Sequence, residues 1–133
     1  MEVGQVLFQQ GDAADSLYLI ELGEVTLLQQ QEGNQLRRLQ GLGAGNMVGE
    51  MDFFLQSVYQ ASATVEQPST LYRLSQTAMQ QMRQEHPEVA ATFQEFVIRT
   101  LSDRLTQTYQ EVADLLQSHI PQVLAWSYCI FDA

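Results

Sequence analysis

Residues 8–25 read FQQGDAADSLYLIELGEV and contain the clearest structural signal in the chain. Gly11 and Asp12 are typical of a tight turn, because glycine adopts positive φ without steric cost and Asp is a common turn residue. Leu17 and its neighbours then read as a strand whose successive side chains point to opposite faces. Gly23 begins a second run, EVTLLQQ at 24–30. The stretch therefore predicts a turn followed by two short strands.

Similar short runs continue on both sides of this stretch, up to about residue 74. Seven of the eight glycines lie within residues 11–49, where they separate the runs. The predicted strands are 5–9, 16–21, 24–30, 35–40 and 70–74. Short strands at a spacing of about ten residues are typical of a β-sandwich or small barrel and not of a parallel βαβ sheet.

The second half of the chain has helical periodicity. Ser75 is a predicted N-cap for a helix that ends near Glu85, and Pro87 fits the first turn of a longer helix that runs to about Ser118. Six residues spaced alternately by three and four positions form a heptad seam: Ile98, Leu101, Leu105, Thr108, Val112 and Leu115. Such a seam requires an apolar partner. Two partners fit, the β-half of the same chain or the same helix of a second chain.

The chain end, PQVLAWSYCIFDA at 121–133, is unusually apolar. Pro121 is expected to end the long helix. Two interpretations of this tail stay open. It packs over the strands or the helix in the ordinary way, or it forms a lid that places Trp126 or Tyr128 over a ligand pocket.

Charge and composition exclude several function classes. The 133 residues carry a formal charge of -10, with 16 acidic residues against six arginines and no lysine. Such a chain lacks the row of cations that DNA or RNA binding requires. The start has neither the basic nor the apolar region of a signal peptide, and no run of about 18 apolar residues occurs. We therefore expect one cytoplasmic domain that neither binds nucleic acid nor itself spans a membrane.

Catalytic and metal-binding patterns are also missing from the sequence. The single Cys129 excludes an internal disulfide and a cysteine-based zinc site, and His86 and His119 are not at a metal-ligand spacing. No nucleophile elbow or phosphate loop of the Walker type is present. We therefore predict that the chain is not an enzyme and holds no metal or cofactor.

The stretch at 8–25, together with LGAGNMVGEM at 42–51 and SATV at 62–65, closely resembles the cyclic nucleotide-binding domain family. The resemblance covers residues 4–118. It implies an α+β fold, an eight-stranded β jelly roll (double-stranded β-helix) followed by helices, one of them long and C-terminal. On this assignment residues 1–120 form the domain, with the jelly roll at 4–74 and helices at 75–86 and 87–118. The family's N-terminal helix is missing, so we expect the chain to be a fragment of a longer protein.

The resemblance also implies a set of ligand-binding positions: Gly49, Glu50, Met51, Ala61, Ser62 and Ala63. Gly49 would allow the backbone to approach the ligand closely, and Glu50 would accept from the ribose 2′-hydroxyl. The N–H groups of Ser62 and Ala63 would face the cyclic phosphate. Ala61 stands where the family carries its phosphate-binding arginine.

The residue at position 61 has a chemical consequence. A methyl group cannot replace the charge-assisted bonds of a guanidinium, which are worth on the order of 1.5–3 kcal/mol each. The expected loss of affinity is about 10-fold to over 100-fold. No arginine occurs between Glu50 and Gln67, and the two candidates for a substitute cation are Arg73 and Arg99.

The predicted function is that of a regulatory domain in signalling, with a degenerate cassette and weak binding of cyclic AMP or cyclic GMP. In such a domain, closure around the ligand would shift the position of the C-terminal helix. The alternative is a module of the same fold that binds no nucleotide and serves in dimerisation or docking. In both cases we predict a homodimer formed through the long helix at 87–118.

Residues 71–75 (LYRLS), 82–88 (MRQEHPE) and 93–96 (FQEF) are similar to the domain behind the STAS domain of some bacterial SulP-type anion transporters. This resemblance implies a cytoplasmic regulatory tail in ion transport, associated with a membrane only through a parent transporter. A transcription factor of the catabolite-activator type is not expected. Only about 15 residues follow the long helix, too few for a helix-turn-helix.

Overall fold

The structure is a computed structural model that describes residues 1–118. The predicted tail at 121–133, with its lid candidates Trp126 and Tyr128, lies outside the described residues. Within residues 1–118 the chain forms five strands and three helices: β1 (Val6–Phe8), β2 (Ser16–Gln30), β3 (Leu36–Gly43), β4 (Met47–Val48), α1 (Glu50–Leu55), β5 (Ser62–Ser75), α2 (Gln76–Glu85) and α3 (Pro87–Ser118). Two compact units are present, Met1–Ala90 and a second that begins at Ala91.

The strands of the first unit form one antiparallel sheet in the order β1-β5-β2-β3, with β4 paired to β2. The long strands β2 and β5 pair along most of their length, from Ser16 opposite Ser75 to Leu28 opposite Ser62. The register shifts three times near Gly23, between Ile20 and Val25. The fold is thus mixed α+β, with an antiparallel sheet and a long C-terminal helix.

The described residues form five strands and not the eight that the resemblance implies, and Gly23 is one place where two expected strands are joined. Its φ is 101°, and a Cβ built at this position would lie 2.0 Å from Oγ of Ser69 on β5. The next amide, Glu24 N–H, donates to that same Oγ at 3.1 Å. The predicted turn at Gly23 is therefore a bend in a continuous strand, and the strands predicted at 16–21 and 24–30 are both parts of β2.

The core of the first unit lies inside the bent sheet. It is built from buried residues of β1, β2, β3, β4, β5 and the loops: Phe8, Ala14, Ile20, Val25, Leu42, Val48, Tyr59 and Ala63. Aromatic stacking occurs within this cluster, because the rings of Phe8 and Tyr59 lie 3.7 Å apart at an interplanar angle of 14°. This core directly adjoins the predicted ligand-binding positions.

The two predicted C-terminal helices are present. Ser75 is the N-cap of α2, and its Oγ accepts from the N–H of Ala78 at 3.1 Å. Pro87 begins α3, which reaches Ser118. Most of the heptad seam on α3 is exposed, with 63% of Ile98 and 64% of Leu115 accessible to solvent.

Within the described residues, no helix is both long and apolar enough to cross a membrane. The same part of the chain contains no cluster of three or more His, Cys, Asp or Glu side chains arranged to hold a metal ion.

Candidate ligand-binding site

The site predicted from the sequence begins at the junction between β4 and α1. Gly49 has a φ of 77° and serves as the N-cap of α1. A Cβ at this position would lie 3.1 Å from the ring of Tyr59 and 3.2 Å from that of Phe8. Glycine is therefore required here by both its backbone angle and the space available. On the side where a Cβ would lie, Gly49 is packed against two aromatic rings of the hydrophobic core.

The next two residues point in different directions. Glu50 is buried, with 5% of its surface accessible, and it has a bonding partner. Met51 is 59% accessible. Glu50 and Asp52 lie in the first turn of α1, where the positive end of the helix dipole favours carboxylates. The structure thus turns Glu50 inward with Gly49 and places Met51 on the surface.

Residues 56–61, here called the connector, join α1 to β5 and were not assigned a structure from the sequence. Gln56 ends α1 with a φ of 54°. The carboxylate of Asp52 accepts from Ser57 Oγ at 3.2 Å and from the N–H of Gln60 at 3.1 Å. These bonds fold the connector back onto the helix that precedes it.

A second set of bonds ties the connector to the turn at Gly11-Asp12. The N–H of Tyr59 donates to the carbonyl of Asp12 at 2.9 Å, and the N–H of Gly11 donates to the carbonyl of Tyr59 at 2.9 Å. Val58 also forms an isolated bridge with Ala13. The two sequence blocks recognised by their pattern are therefore joined through the connector between α1 and β5.

Tyr59 is the centre of this arrangement. Its hydroxyl donates to the carbonyl of Ser16 at 2.5 Å and accepts from the N–H of the same residue at 3.2 Å. Only 2% of Tyr59 is accessible, and burial raises the pKa of its phenol to about 12. The side chain is thus held by a stack on one side and by two hydrogen bonds at its tip.

The remaining predicted positions lie at the end of the connector, Ala61, and at the start of β5, Ser62 and Ala63. Ala61 and Ala63 are buried, and Ala63 is paired with Phe8 of β1 and Leu27 of β2. Ser62 is half-buried, and its Oγ accepts from the N–H of Gln10 at 2.8 Å. Glu50, Ala61 and Ala63 are thus buried residues of the first unit, Gly49 is half-buried, and Met51 is exposed.

The two arginines considered as substitute cations are engaged with other residues. Arg73 donates from Nε to Ser16 Oγ at 2.8 Å, and its Nη2 lies 3.9 Å from Oδ2 of Asp15. Arg99 pairs with Glu95, one turn earlier on α3, at 2.7 Å. Asp52 on α1 and Glu66 on β5 add negative charge near this region.

A cavity of about 710 Å³ lies elsewhere in the first unit. It is bounded by residues 13–15, the start of the connector and one face of α2, and none of the six predicted positions lines it. The glutamines at 76, 80 and 84 give that face an amide stripe. Their spacing of four residues places them on one face of α2, and this spacing is visible in the sequence.

A bent antiparallel sheet with a short helix behind a left-handed glycine, followed by two helices, is consistent with the fold of cyclic nucleotide-binding domains. Residues 1–86 match the family model described as the cyclic nucleotide-binding domain. The chain therefore belongs to the cyclic nucleotide-binding domain family.

Similar proteins differ in their overall activity. The chain is 24% identical over 111 residues to the Aspergillus fumigatus lysophospholipase nte1, covering 84% of this chain and 7% of that protein. It is 26% identical over 118 residues to a CRP-like cAMP-activated global transcriptional regulator of Mycobacterium tuberculosis, covering 89% of this chain and 51% of the regulator. The chain thus spans a small part of the first relative and about half of the second.

A solved structure supports the fold. The crystal structure of a cyclic nucleotide-binding domain from Methylobacillus flagellatus superposes with a TM-score of 0.75 at 24% identity, covering 83% of this chain and 62% of that one. This similarity shows a common fold between the two chains.

Proposed function

We propose that this chain is a regulatory domain with a degenerate phosphate-binding cassette and weak affinity for cyclic AMP or cyclic GMP. The observation that carries the proposal is the residue at position 61. The family resemblance places an arginine there, and this chain has a buried alanine. A relative described as cAMP-activated makes cyclic AMP the first ligand to test.

The contacts of three side chains support a weakened cassette. Ser62 Oγ is engaged by the N–H of Gln10, and Arg73 is engaged by Ser16 and Asp15. The carboxylate of Asp52 accepts two hydrogen bonds from the connector, so a negative charge is fixed within the cassette. A cyclic phosphate that entered here would lose its water without gaining a charge-assisted bond at position 61.

Calorimetric titration with cyclic AMP tests this proposal. We expect the wild-type chain to bind with a dissociation constant weaker than micromolar and Ala61→Arg to bind about 10-fold to over 100-fold more tightly. Gln60→Arg is the matched control, because it adds the same charge one residue away on an exposed side chain. Micromolar or tighter binding by the wild type would contradict the proposal, as would equal affinities of Ala61→Arg and Gln60→Arg.

A second proposed property is homodimerisation through α3. It is supported by the heptad steps and by the exposure of the apolar seam, of which Ile98, Leu105, Val112 and Leu115 are each about half or more accessible. The sides of this helix carry both signs of charge, as in the Glu95–Arg99 pair. A second copy of the helix offers both an apolar seam and complementary flanks.

Sedimentation equilibrium distinguishes a dimer formed through α3 from a monomer. We expect the wild type to dimerise and the double variant Leu105→Asp with Val112→Asp to sediment as a monomer. The control, Thr106→Asp with Gln107→Asp, adds the same charge at neighbouring exposed positions outside the seam. A wild type that remains monomeric at high concentration would exclude the dimer.

We also propose that residues 1–120 act as a cytoplasmic regulatory domain attached to a transporter or another signalling protein, with no catalytic activity of its own. The transporter context rests on the sequence similarity of residues 71–96 alone, since the relatives described above are a lysophospholipase and a transcriptional regulator. A fragment of residues 1–120 that melts at the temperature of the full chain would support the boundary before the tail at 121–133.

A further inference from the structure

The cavity of about 710 Å³ in the first unit is separate from the predicted nucleotide site, and it is here called the α2 groove. Residues 13–15 and the start of the connector, Gln56 and Ser57, line one side of it, and α2 lines the other. None of the six predicted ligand-binding positions borders it. The function proposed above therefore makes no use of this groove.

Hydrogen bonds between the walls hold the α2 groove in shape. The N–H of Ala14 donates to the carbonyl of Ser57 at 3.0 Å, and the N–H of Gln76 donates to the carbonyl of Asp15 at 2.9 Å. The side-chain Nε2 of Gln76 also donates to the carbonyls of Phe53 at 2.6 Å and Ala14 at 3.3 Å. Because these bonds fix both walls, the groove is pre-formed, as most ligand sites are.

The lining of the α2 groove is polar and almost without net charge. Among residues 1–118 it consists mainly of side-chain amides and hydroxyls, with one carboxylate, Asp15, and one guanidinium, Arg83. A phosphate ligand would require an excess of cations, and a large apolar ligand would require an apolar lining. The lining instead suits a ligand whose main part is neutral and both donates and accepts hydrogen bonds.

Three of the amides form a regular row along α2. Gln76, Gln80 and Gln84 are four residues apart on one face of the helix, so successive α-carbons lie about 6 Å apart along its axis. Each amide offers both a donor and an acceptor. An extended peptide directs an N–H and a C=O to the same side at every second residue, about 6.6 Å apart. The row therefore matches the repeat of an extended peptide backbone.

The two ends of the α2 groove carry opposite charges. Asp15 lies beside the first residue of α2, whose N–H its carbonyl accepts, and Arg83 lies in the last turn of the helix. Between these ends, the exposed amides of Gln80 and Gln84 make no side-chain hydrogen bond within residues 1–118. A ligand can therefore pair with both amides without breaking a bond to a described residue of this chain.

We propose that the α2 groove binds an extended peptide segment of a partner protein, about four or five residues long. The backbone of the segment pairs with the amides of Gln80 and Gln84, and its ends carry a basic residue beside Asp15 and an acidic residue beside Arg83. This inference goes beyond the proposed function, because the groove shares no residue with the predicted cassette. A partner could thus contact the domain without displacing a nucleotide.

Titration of the nucleotide-free chain with the blocked peptide acetyl-Lys-Ala-Thr-Ala-Glu-amide, followed by NMR, tests this inference. We expect saturable shifts of the side-chain amides of Gln80 and Gln84, with a dissociation constant of about 1 mM or tighter. The double variant Gln80→Ala with Gln84→Ala should bind about tenfold more weakly or worse, since two hydrogen bonds are lost and alanine preserves the helix. Unchanged backbone shifts in the sheet will show that the variant is folded.

The matched control is Gln81→Ala with Gln107→Ala, which removes two exposed amides that do not line the groove. This variant should bind the peptide as the wild type does. Equal affinities of the two double variants would overturn the inference, as would the absence of saturable binding at millimolar peptide.

Two altered peptides test what the groove recognises. An analogue with ester bonds in place of the internal peptide bonds lacks their N–H donors and should bind about tenfold more weakly. A peptide with Glu in place of Lys should also bind more weakly, because it brings a second carboxylate towards Asp15. An ester analogue or an all-acidic peptide that binds as tightly as the original peptide would overturn the inference.

Discussion

Two regions of the molecule differ in the burial of their apolar side chains. In residues 49–62 the large ring of Tyr59 is buried, stacked and hydrogen-bonded within one chain. Along α3 the seam from Ile98 to Leu115 leaves most of its apolar side chains accessible to solvent. The first region completes its own packing, whereas the second is exposed among residues 1–118 and is the region for which we propose a partner. Substitutions should therefore affect folding in the first region and association in the second.

The strongest test of the first region is Gly49→Ala. The new methyl group combines an unfavourable positive φ with contacts of 3.1–3.2 Å to two buried rings. We expect a loss of about 3 kcal/mol in the free energy of unfolding, measured by urea denaturation. Gly45→Ala is the matched control, because Gly45 has a φ of 86° and a methyl group there would meet nothing within 4 Å. Equal losses at both positions would show that the rings do not crowd Gly49.

A smaller loss is expected for Tyr59→Phe. The substitution keeps the stack on Phe8 and leaves the carbonyl and the N–H of Ser16 without their phenol partner. The free energy of unfolding, measured by urea denaturation, should be about 1–2 kcal/mol lower than that of the wild type. A variant as stable as the wild type would mean that these bonds contribute nothing to the self-contained packing of the region.

The same tyrosine predicts a pH dependence. Its pKa is raised from 10.0 to about 12 by burial, so the folded protein holds the phenolic proton more tightly than the unfolded chain does. The resulting stability is fully present below pH 10 and is lost as the pH rises from about 10 to about 12. Unfolding free energies measured across this window should fall more steeply in the wild type than in Tyr59→Phe.

Tyr72 does not affect this comparison. A hydrogen bond to Glu21 also raises the pKa of the exposed Tyr72. Because Tyr72 is present in both proteins, its contribution cancels in the difference between them. Parallel pH profiles of the wild type and Tyr59→Phe would contradict the prediction.

The smallest effect on folding is expected in α3. Replacing the exposed Ile98 with Gln should change the free energy of unfolding of a dilute, monomeric sample by no more than about 0.5 kcal/mol. The same substitution should weaken the proposed dimer, which sedimentation at high concentration measures. A large loss of stability in the monomer would show that the seam is already packed within one chain, and the contrast between the two regions would disappear.

Local signals in the sequence predicted much of the fold. Ser75 caps α2 and Pro87 begins α3 at the expected positions, because caps and prolines act on their immediate neighbours. Helix α1 was not predicted from the residues. It is only six residues long and ends at Gln56, a residue type that does not signal a left-handed backbone.

Features that depend on contacts between distant parts of the chain could not be predicted from the sequence. Gly23 was interpreted as the start of a new strand, since the approach of Ser69 that makes it a bend within β2 is not visible locally. Within the candidate site, the family pattern led to Gly49, Glu50 and the start of β5. It gave no indication of Tyr59, whose stacking partner Phe8 lies about 50 residues earlier in the chain, on β1.

The tie between Tyr59 and Ser16 also bears on how the chain folds. It joins residues 43 positions apart, and the pairing of β2 with β5 spans similar separations. Closing such long loops is entropically costly, and domains dominated by non-local pairing fold in milliseconds to seconds. Because the pairing of Leu28 with Ser62 already brings the adjacent connector close to β2, we expect the connector to dock after β2 and β5 have paired. A nascent domain would thus pass through a stage in which the sheet has formed and the ring of Tyr59 has not yet stacked on Phe8.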